Sequence, residues 1–139
     1  MGLDCLFYAH MSLSSCLCVF LGGGLGSLLR FLCSQLIPTP HILGKFPLQT
    51  FLVNMLGCLI IGFLASFFAN HDVRYSLRNF FIAGLCGGFT TFSTFSRESF
   101  SLIQSSDISL ALLYISLSLV LGILFVAIGF FISQRLLCP

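Results

Sequence analysis

Inside a chain of 139 residues that is 58% hydrophobic and 7% charged, the side chains able to do chemistry are few, and most carry no charge. Asn54 offers an amide with two N–H donors, and Thr50, Tyr114 and Ser118 offer hydroxyls. Thr50 and Asn54 are four residues apart, as are Tyr114, Ser118 and Gly122, so each set falls on one face of a helix. Phe92 and Phe95 share a face at a spacing of three. A phenyl ring is negative on its face and positive at its edge, so it can turn weakly positive C–H groups toward an anion. Uncharged donors and ring edges suit a small anion that must shed water, where a full Lys or Arg would hold it too tightly to release. Packing accounts for the same residues in another way. An Asn in a membrane helix is often interhelical glue, and two phenylalanines among 17 are ordinary filling.

Other chemistries lack their residues. Asp4, Asp72 and Asp107 fall in ends or loops, and Glu98 is the only acid well inside an apolar stretch. Proton-coupled carriers usually depend on a buried ionisable group, which argues against a small drug/proton antiporter. His10, His41 and His71 lie outside the core, so no catalytic triad or metal constellation assembles, and the chain does not read as an enzyme. The seven cysteines show no CxxC pair and no spacing that suits zinc. A formal charge of +2, with no basic cluster, gives no footprint for nucleic acid.

These residues must be positioned by membrane helices. A soluble domain carries about a quarter charged residues, and a helix needs about 20 apolar residues to cross a bilayer. Four such stretches fit this length and leave no room for a second domain. Span one runs from about Ser12 to Ile37, with Gly22 and Gly26 as a small-xxx-small pair and Pro38 and Pro40 as its stop. Span two runs from about Pro47 to Ala69, with Gly57 and Gly62 as close-packing positions. Span three, about Leu77 to Ile103, contains Gly84-Leu85-Cys86-Gly87-Gly88-Phe89-Thr90-Thr91-Phe92-Ser93-Thr94-Phe95-Ser96. Adjacent glycines and a Thr/Ser run weaken a helix. This stretch is either a close-packing patch or a deliberate break near the bilayer midplane, and it is the most specific feature of the chain. Span four runs from about Asp107 to Leu136, with Ser105, Ser106 and Asp107 as candidate caps. Residues 1–11 read as an extension ahead of a channel domain over 12–139. No basic region precedes the first apolar run, so the start does not read as a cleaved signal, and Met11 offers an alternative start.

Four blocks in order across residues 22 to about 135 resemble the Fluc (CrcB) family of fluoride channels. They are Gly22-Gly23-Gly24-Leu25-Gly26-Ser27-Leu28-Leu29-Arg30; Thr50-Phe51-Leu52-Val53-Asn54 with Gly57; the span-three run with Glu98; and Tyr114 with Ser118. The resemblance implies an all-α membrane protein of four transmembrane helices with a break in the third, assembled as an antiparallel, dual-topology homodimer. It implies two pores, each lined by both subunits, and passive export of fluoride across a plasma or bacterial inner membrane, lowering its cytoplasmic concentration. It implies a structural sodium ion held by backbone carbonyls that match Gly87 and Thr90. The fluoride path matches Asn54, Phe92, Phe95, Thr50, Tyr114 and Ser118, and the vestibules match Arg30 and Glu98. Two positions depart from the family: Ser27 stands where alanine is usual, and Gln49 where glycine is usual.

Basic residues accumulate on the cytoplasmic side of membrane proteins. With four spans, Arg74, Arg78 and Arg135 share one side, and Arg30, Lys45 and Arg97 share the other. An even division is what a subunit inserting both ways requires. Adding two or three Lys to the loop between spans two and three should force one orientation and abolish transport, and co-expression of an oppositely biased copy should restore it. A biased chain that stays fully active alone would rule out the antiparallel dimer.

Overall fold

The computed structural model describes residues 13–37 and 44–137. The N-terminal extension with Met11, and the stop at Pro38 and Pro40, lie outside the described residues. Helix α1 is Leu13–Leu36, α2 is Leu48–Asn70, and α5 is Ile108–Leu137; each is long and apolar enough to cross a membrane. The third crossing is made in two pieces. Helix α3 (residues 75–89) opens with an α-turn over Tyr75–Arg78, widens to a π-helix over Asn79–Cys86, and returns to α geometry over Gly87–Phe89. Helix α4, Phe92–Gln104, follows after Thr90 and Thr91. No strand occurs among the described residues.

The glycines explain how the helices pair. In lipid, helices associate by close packing rather than by escape from water, so small residues mark the seams. A Cβ on Gly22 would strike the backbone of Phe80, Leu85 and Gly84, and one on Gly26 would strike Leu85 O and Phe89 N. From the other side, Gly88 sits on the backbone of Gly23. Contacts advance together along both chains, so α1 and α3 pack in parallel. Helices α2 and α5 form a second parallel pair: Gly122 faces Met55 and Cys58, Gly62 faces Val126, and Gly129 faces Leu59 and Phe63. An up-down-up-down chain allows this pairing, because alternate crossings run the same way. The π stretch, whose hydrogen bonds span one residue more than those of an α-helix, lies where α3 meets α1.

The span-three run is therefore both things the sequence allowed. Gly84 and Gly88 are a packing patch against α1, and Thr90-Thr91 is a break. Buried side chains are few for a chain this apolar: Tyr114 and Ser66 are 0% exposed, whereas Phe20, Phe92 and Ile123 are each more than 70% exposed. Surface of this kind belongs against lipid or a second protein. At one end of the subunit the short α4–α5 turn carries Ser106 at φ 64°. There Lys45 Nζ reaches Asp107 at 2.6 Å, and Ser105 Oγ donates to the same carboxylate at 2.8 Å. These two donors hold the Asp107 carboxyl below its usual range.

Gly26→Ala should cost about 1–3 kcal/mol, the usual cost of overpacking a tight seam, because its methyl meets backbone that cannot rotate away. Gly24→Ala meets open space within the subunit and should hold or gain up to about 1 kcal/mol through better helix propensity. Thermal unfolding in detergent distinguishes them; equal midpoints for the two variants would refute the α1–α3 seam.

Candidate functional site

The site is built around the break. Thr90 (φ −85°, ψ 155°) and Thr91 (φ −145°, ψ 107°) are both extended. Two consecutive extended residues interrupt the helical ladder and free polar backbone at membrane depth. Asn54 on α2 answers on both sides of Thr91: the Thr91 N–H donates to Asn54 Oδ1 at 3.0 Å, and Asn54 Nδ2 reaches Thr91 O at 3.5 Å. Gly57, one turn along α2, has no side chain where Thr90 Cγ2 sits, so the break can approach this closely. The Thr91 side chain caps α4, accepting from Thr94 N at 3.2 Å and donating to Thr94 Oγ1 at 3.0 Å. Thr90 is anchored backward, with its N–H and its Oγ1 each donating to Cys86 O at 3.0 Å.

The carbonyl side of the break is left differently. In an unbroken helix Gly87 O would receive the Thr91 N–H, and Thr90 O the Thr94 N–H. Those donors now go to Asn54 and to the Thr91 hydroxyl. Asn54 and the Thr91 hydroxyl therefore satisfy the amide side of the break, and the Gly87 and Thr90 carbonyls have lost their helical donors. Gly87 is also exposed on the subunit surface. Ser27, at the position where the resemblance expects alanine, points its hydroxyl at Gly88 O at 3.5 Å.

Two open clefts meet at Thr91. One, of about 310 Å³, is lined by Asn54, Phe92, Phe95 and Ser118 with the sulfur side chains of Met55 and Cys58. The two phenylalanine rings lie 5.8 Å apart. The Ser118 Oγ is buried without a hydrogen-bond partner among the described residues. The second cleft, of about 370 Å³, is polar and lined by Arg30, Thr50, Thr91, Thr94, Arg97 and Glu98. Gln49, the other departure from the family, donates from Nε2 to Ile37 O at 3.0 Å and ties the start of α2 to the end of α1.

The structure thus gathers Asn54, Phe92, Phe95 and Ser118 around one cleft, and Arg30, Thr50 and Glu98 around the other. Tyr114 is placed differently from a simple stripe with Ser118. It is fully buried between the rings of Phe46 (5.4 Å) and Phe95 (5.1 Å), and its hydroxyl donates to Glu98 Oε2 at 3.0 Å. Thr50 Oγ1 donates to the other oxygen of Glu98 at 2.8 Å. Glu98 is therefore a hub joining α2, α4 and α5. No sequence spacing announces it, since its partners are 48 and 16 residues away. Arg97, which the sequence marked only as a topogenic charge, lines the polar cleft beside Arg30.

The profile of the family described as CrcB-like protein, Camphor Resistance (CrcB), matches residues 17–130. A relative from Flavobacterium psychrophilum, named fluoride-specific ion channel FluC, is 44% identical over 119 residues, covering 85% of this chain and 95% of its own. A protein of the same name from Desulfotalea psychrophila is 44% identical, with 86% and 91% covered. The Bacillus subtilis protein named fluoride-specific ion channel FluC 2 is 46% identical, with 85% and 86% covered.

Tyr114→Phe removes one of the two hydroxyls that satisfy Glu98 and leaves a carboxylate oxygen short of a partner. It should destabilise the protein by about 1–3 kcal/mol, read as a lowered unfolding midpoint in detergent. A midpoint equal to that of the parent would mean the Tyr114–Glu98 bond contributes nothing.

Proposed function

This chain belongs to the CrcB family, and from that premise we propose how its two clefts move fluoride. The protein is a multi-pass membrane protein and a fluoride-specific ion channel, not an enzyme; it lets fluoride leave passively and so lowers the cytoplasmic concentration. We place it in a plasma or bacterial inner membrane. The observation that carries the mechanism is the Asn54 amide set across a broken helix where a polar cleft and an aromatic cleft meet.

Fluoride is small and strongly hydrated, so its water must be replaced by many weak donors rather than one strong charge. In our reading the ion enters at Arg30 and Glu98 and passes Thr50 and Thr91 to reach the second Asn54 N–H. Beyond the break it moves along the ring edges of Phe92 and Phe95 to the Ser118 hydroxyl. The Thr50 and Tyr114 hydroxyls take both Glu98 oxygens, and the charge that remains is opposed by Arg30 and Arg97 in the same cleft. Thr50 takes part as a lining residue of the polar cleft, and Tyr114, which lines neither cleft, takes part through the Glu98 oxygen it holds.

The active unit in this proposal is an antiparallel homodimer. Non-helical backbone at membrane depth is tolerated only against protein or water, and a single subunit leaves Gly87, Phe92, Ser93 and Ser96 exposed there. A second copy in the opposite orientation covers them and completes each pore. The Gly87 and Thr90 carbonyls, freed of their helical donors, suit a hard cation that prefers oxygen ligands. A sodium ion held by these carbonyls from both copies would supply a fixed positive charge that locks the two breaks together.

The parent in liposomes should release fluoride and retain chloride. Asn54→Asp keeps an acceptor for the Thr91 N–H, so the break stays held while a negative charge enters the path. At an effective dielectric of about 20 and about 4 Å separation the repulsion is on the order of 4 kcal/mol, roughly a thousandfold in occupancy. Phe92→Ile keeps an apolar side chain but loses the positive ring edge, so folded dimers should form and flux should fall. Normal dimers of both variants that pass fluoride at the parent rate would overturn this path.

A further inference from the structure

The charged groups at one end of the subunit are unequally paired. Lys45 is tied to Asp107 at 2.6 Å. The two oxygens of Glu98 take uncharged donors, Thr50 and Tyr114, and no cation. Arg30 and Arg97 have no hydrogen bond or ion pair among the described residues, although both line the same polar cleft as Glu98. That cleft therefore holds two unpaired guanidinium groups against one carboxylate that is already covered. Arg97 also lines a second hollow of about 480 Å³ with Lys45, Glu98, Ser101 and Ser105, where Lys45 is the cation already paired. It is exposed and shared by the two hollows, whereas Arg30 is half-buried and lines only the cleft.

We propose that Arg97 is an anion-gathering residue that draws fluoride from solution to the mouth of the path and passes it inward to Arg30 and Thr91. This rests on the fluoride-channel reading above and adds a specific means of recruitment to it. An exposed guanidinium suits the task because it is permanently charged, and this one has no hydrogen bond or ion pair among the described residues. Its attraction is shallow: in water a unit charge at about 4 Å enriches a monovalent anion roughly fivefold, enough to concentrate the ion and too little to trap it. The same charge attracts chloride, so Arg97 raises supply and leaves selection to the groups deeper in the path. Arginine rather than an uncharged donor is needed because enrichment acts before the ion has lost its water.

The test must separate recruitment from orientation, since Arg97 is one of the six basic residues that set topology. Arg97→Gln is therefore combined with Gln104→Lys, which restores the basic count on that side at an exposed position outside both clefts. Fluoride efflux from liposomes is measured for the parent, Gln104→Lys, Arg97→Gln/Gln104→Lys and Arg97→Lys, across fluoride concentration and ionic strength. Gln104→Lys should match the parent, and Arg97→Lys should retain most of its flux. The double variant should lose roughly fivefold at low fluoride and low salt. The deficit should narrow as fluoride rises, and as added salt shortens the screening length to about 3 Å at 1 M. A double variant with the parent's concentration and salt dependence overturns the proposal. So does a loss that is equal at every concentration and salt, which would mark a purely structural role. A parent that passes no fluoride in preference to chloride overturns the channel reading itself, and the recruitment role with it.

Discussion

A peptide group without a partner is among the most costly things a chain can carry into hydrocarbon, at several kcal/mol for each group. The fold of this protein is organised around one place where two such groups arise, the extended pair Thr90–Thr91. Asn54 holds Thr91 from a neighbouring helix, while Thr90 keeps its bonds to Cys86 O and packs its methyl over Gly57, which has no side chain. Thr91 then turns its hydroxyl to the start of α4, so the chain resumes helical geometry within one residue. What remains is the Gly87 and Thr90 carbonyls, without their helical donors, and a second Asn54 N–H with no partner among the described residues. The break that is expensive to fold is thus also what leaves donors and acceptors unspent within the third crossing.

Charge is handled by the same logic. A carboxylate partly withdrawn from water needs partners, and the simplest would be one of the two arginines that share its cleft. Glu98 takes hydroxyls from Thr50 and Tyr114 instead. The consequence is twofold: three helices are pinned through one acid, and neither guanidinium is paired among the described residues. The Tyr114 ring is boxed by Phe46 and Phe95, so the same tyrosine links the polar hub to the aromatic wall of the other cleft.

Much of the architecture was legible in the sequence because membrane helices obey few rules. Span ends at Leu36, Leu48 and Ile108 fall within a residue of positions that Pro47, Asp107 and the hydropathy limits indicated. The glycine pair Gly22 and Gly26 announced a seam, and the seam is there. The Gly/Thr run announced either packing or a break; only coordinates showed that Gly84 and Gly88 serve the first while Thr90 and Thr91 make the second. The π-helix of α3 was not legible, since no composition distinguishes Asn79–Cys86 from an ordinary apolar turn. Nor was the bonding of Glu98, because a hydrogen bond between helices leaves no periodic trace. Helical spacing correctly put Tyr114 and Ser118 on one face, but not that one hydroxyl would be given to an acid and the other left free over a cleft.

The wide stretch of α3 has a consequence of its own. An α-helix advances about 100° per residue, so its two ends are locked in rotational phase. A π turn accommodates an extra residue and breaks that lock. Here it lets the face bearing Gly84 and Gly88 be aimed at α1 independently of the direction taken by Tyr75 and Arg78 at the water boundary. Removing one residue from this stretch would let it close as an ordinary α-helix with its two ends near their present phase, whereas forcing all eight residues of Asn79–Cys86 into α geometry would swing one end against the other. Either the glycines would leave their seam, or the entry loop would be dragged around the bundle.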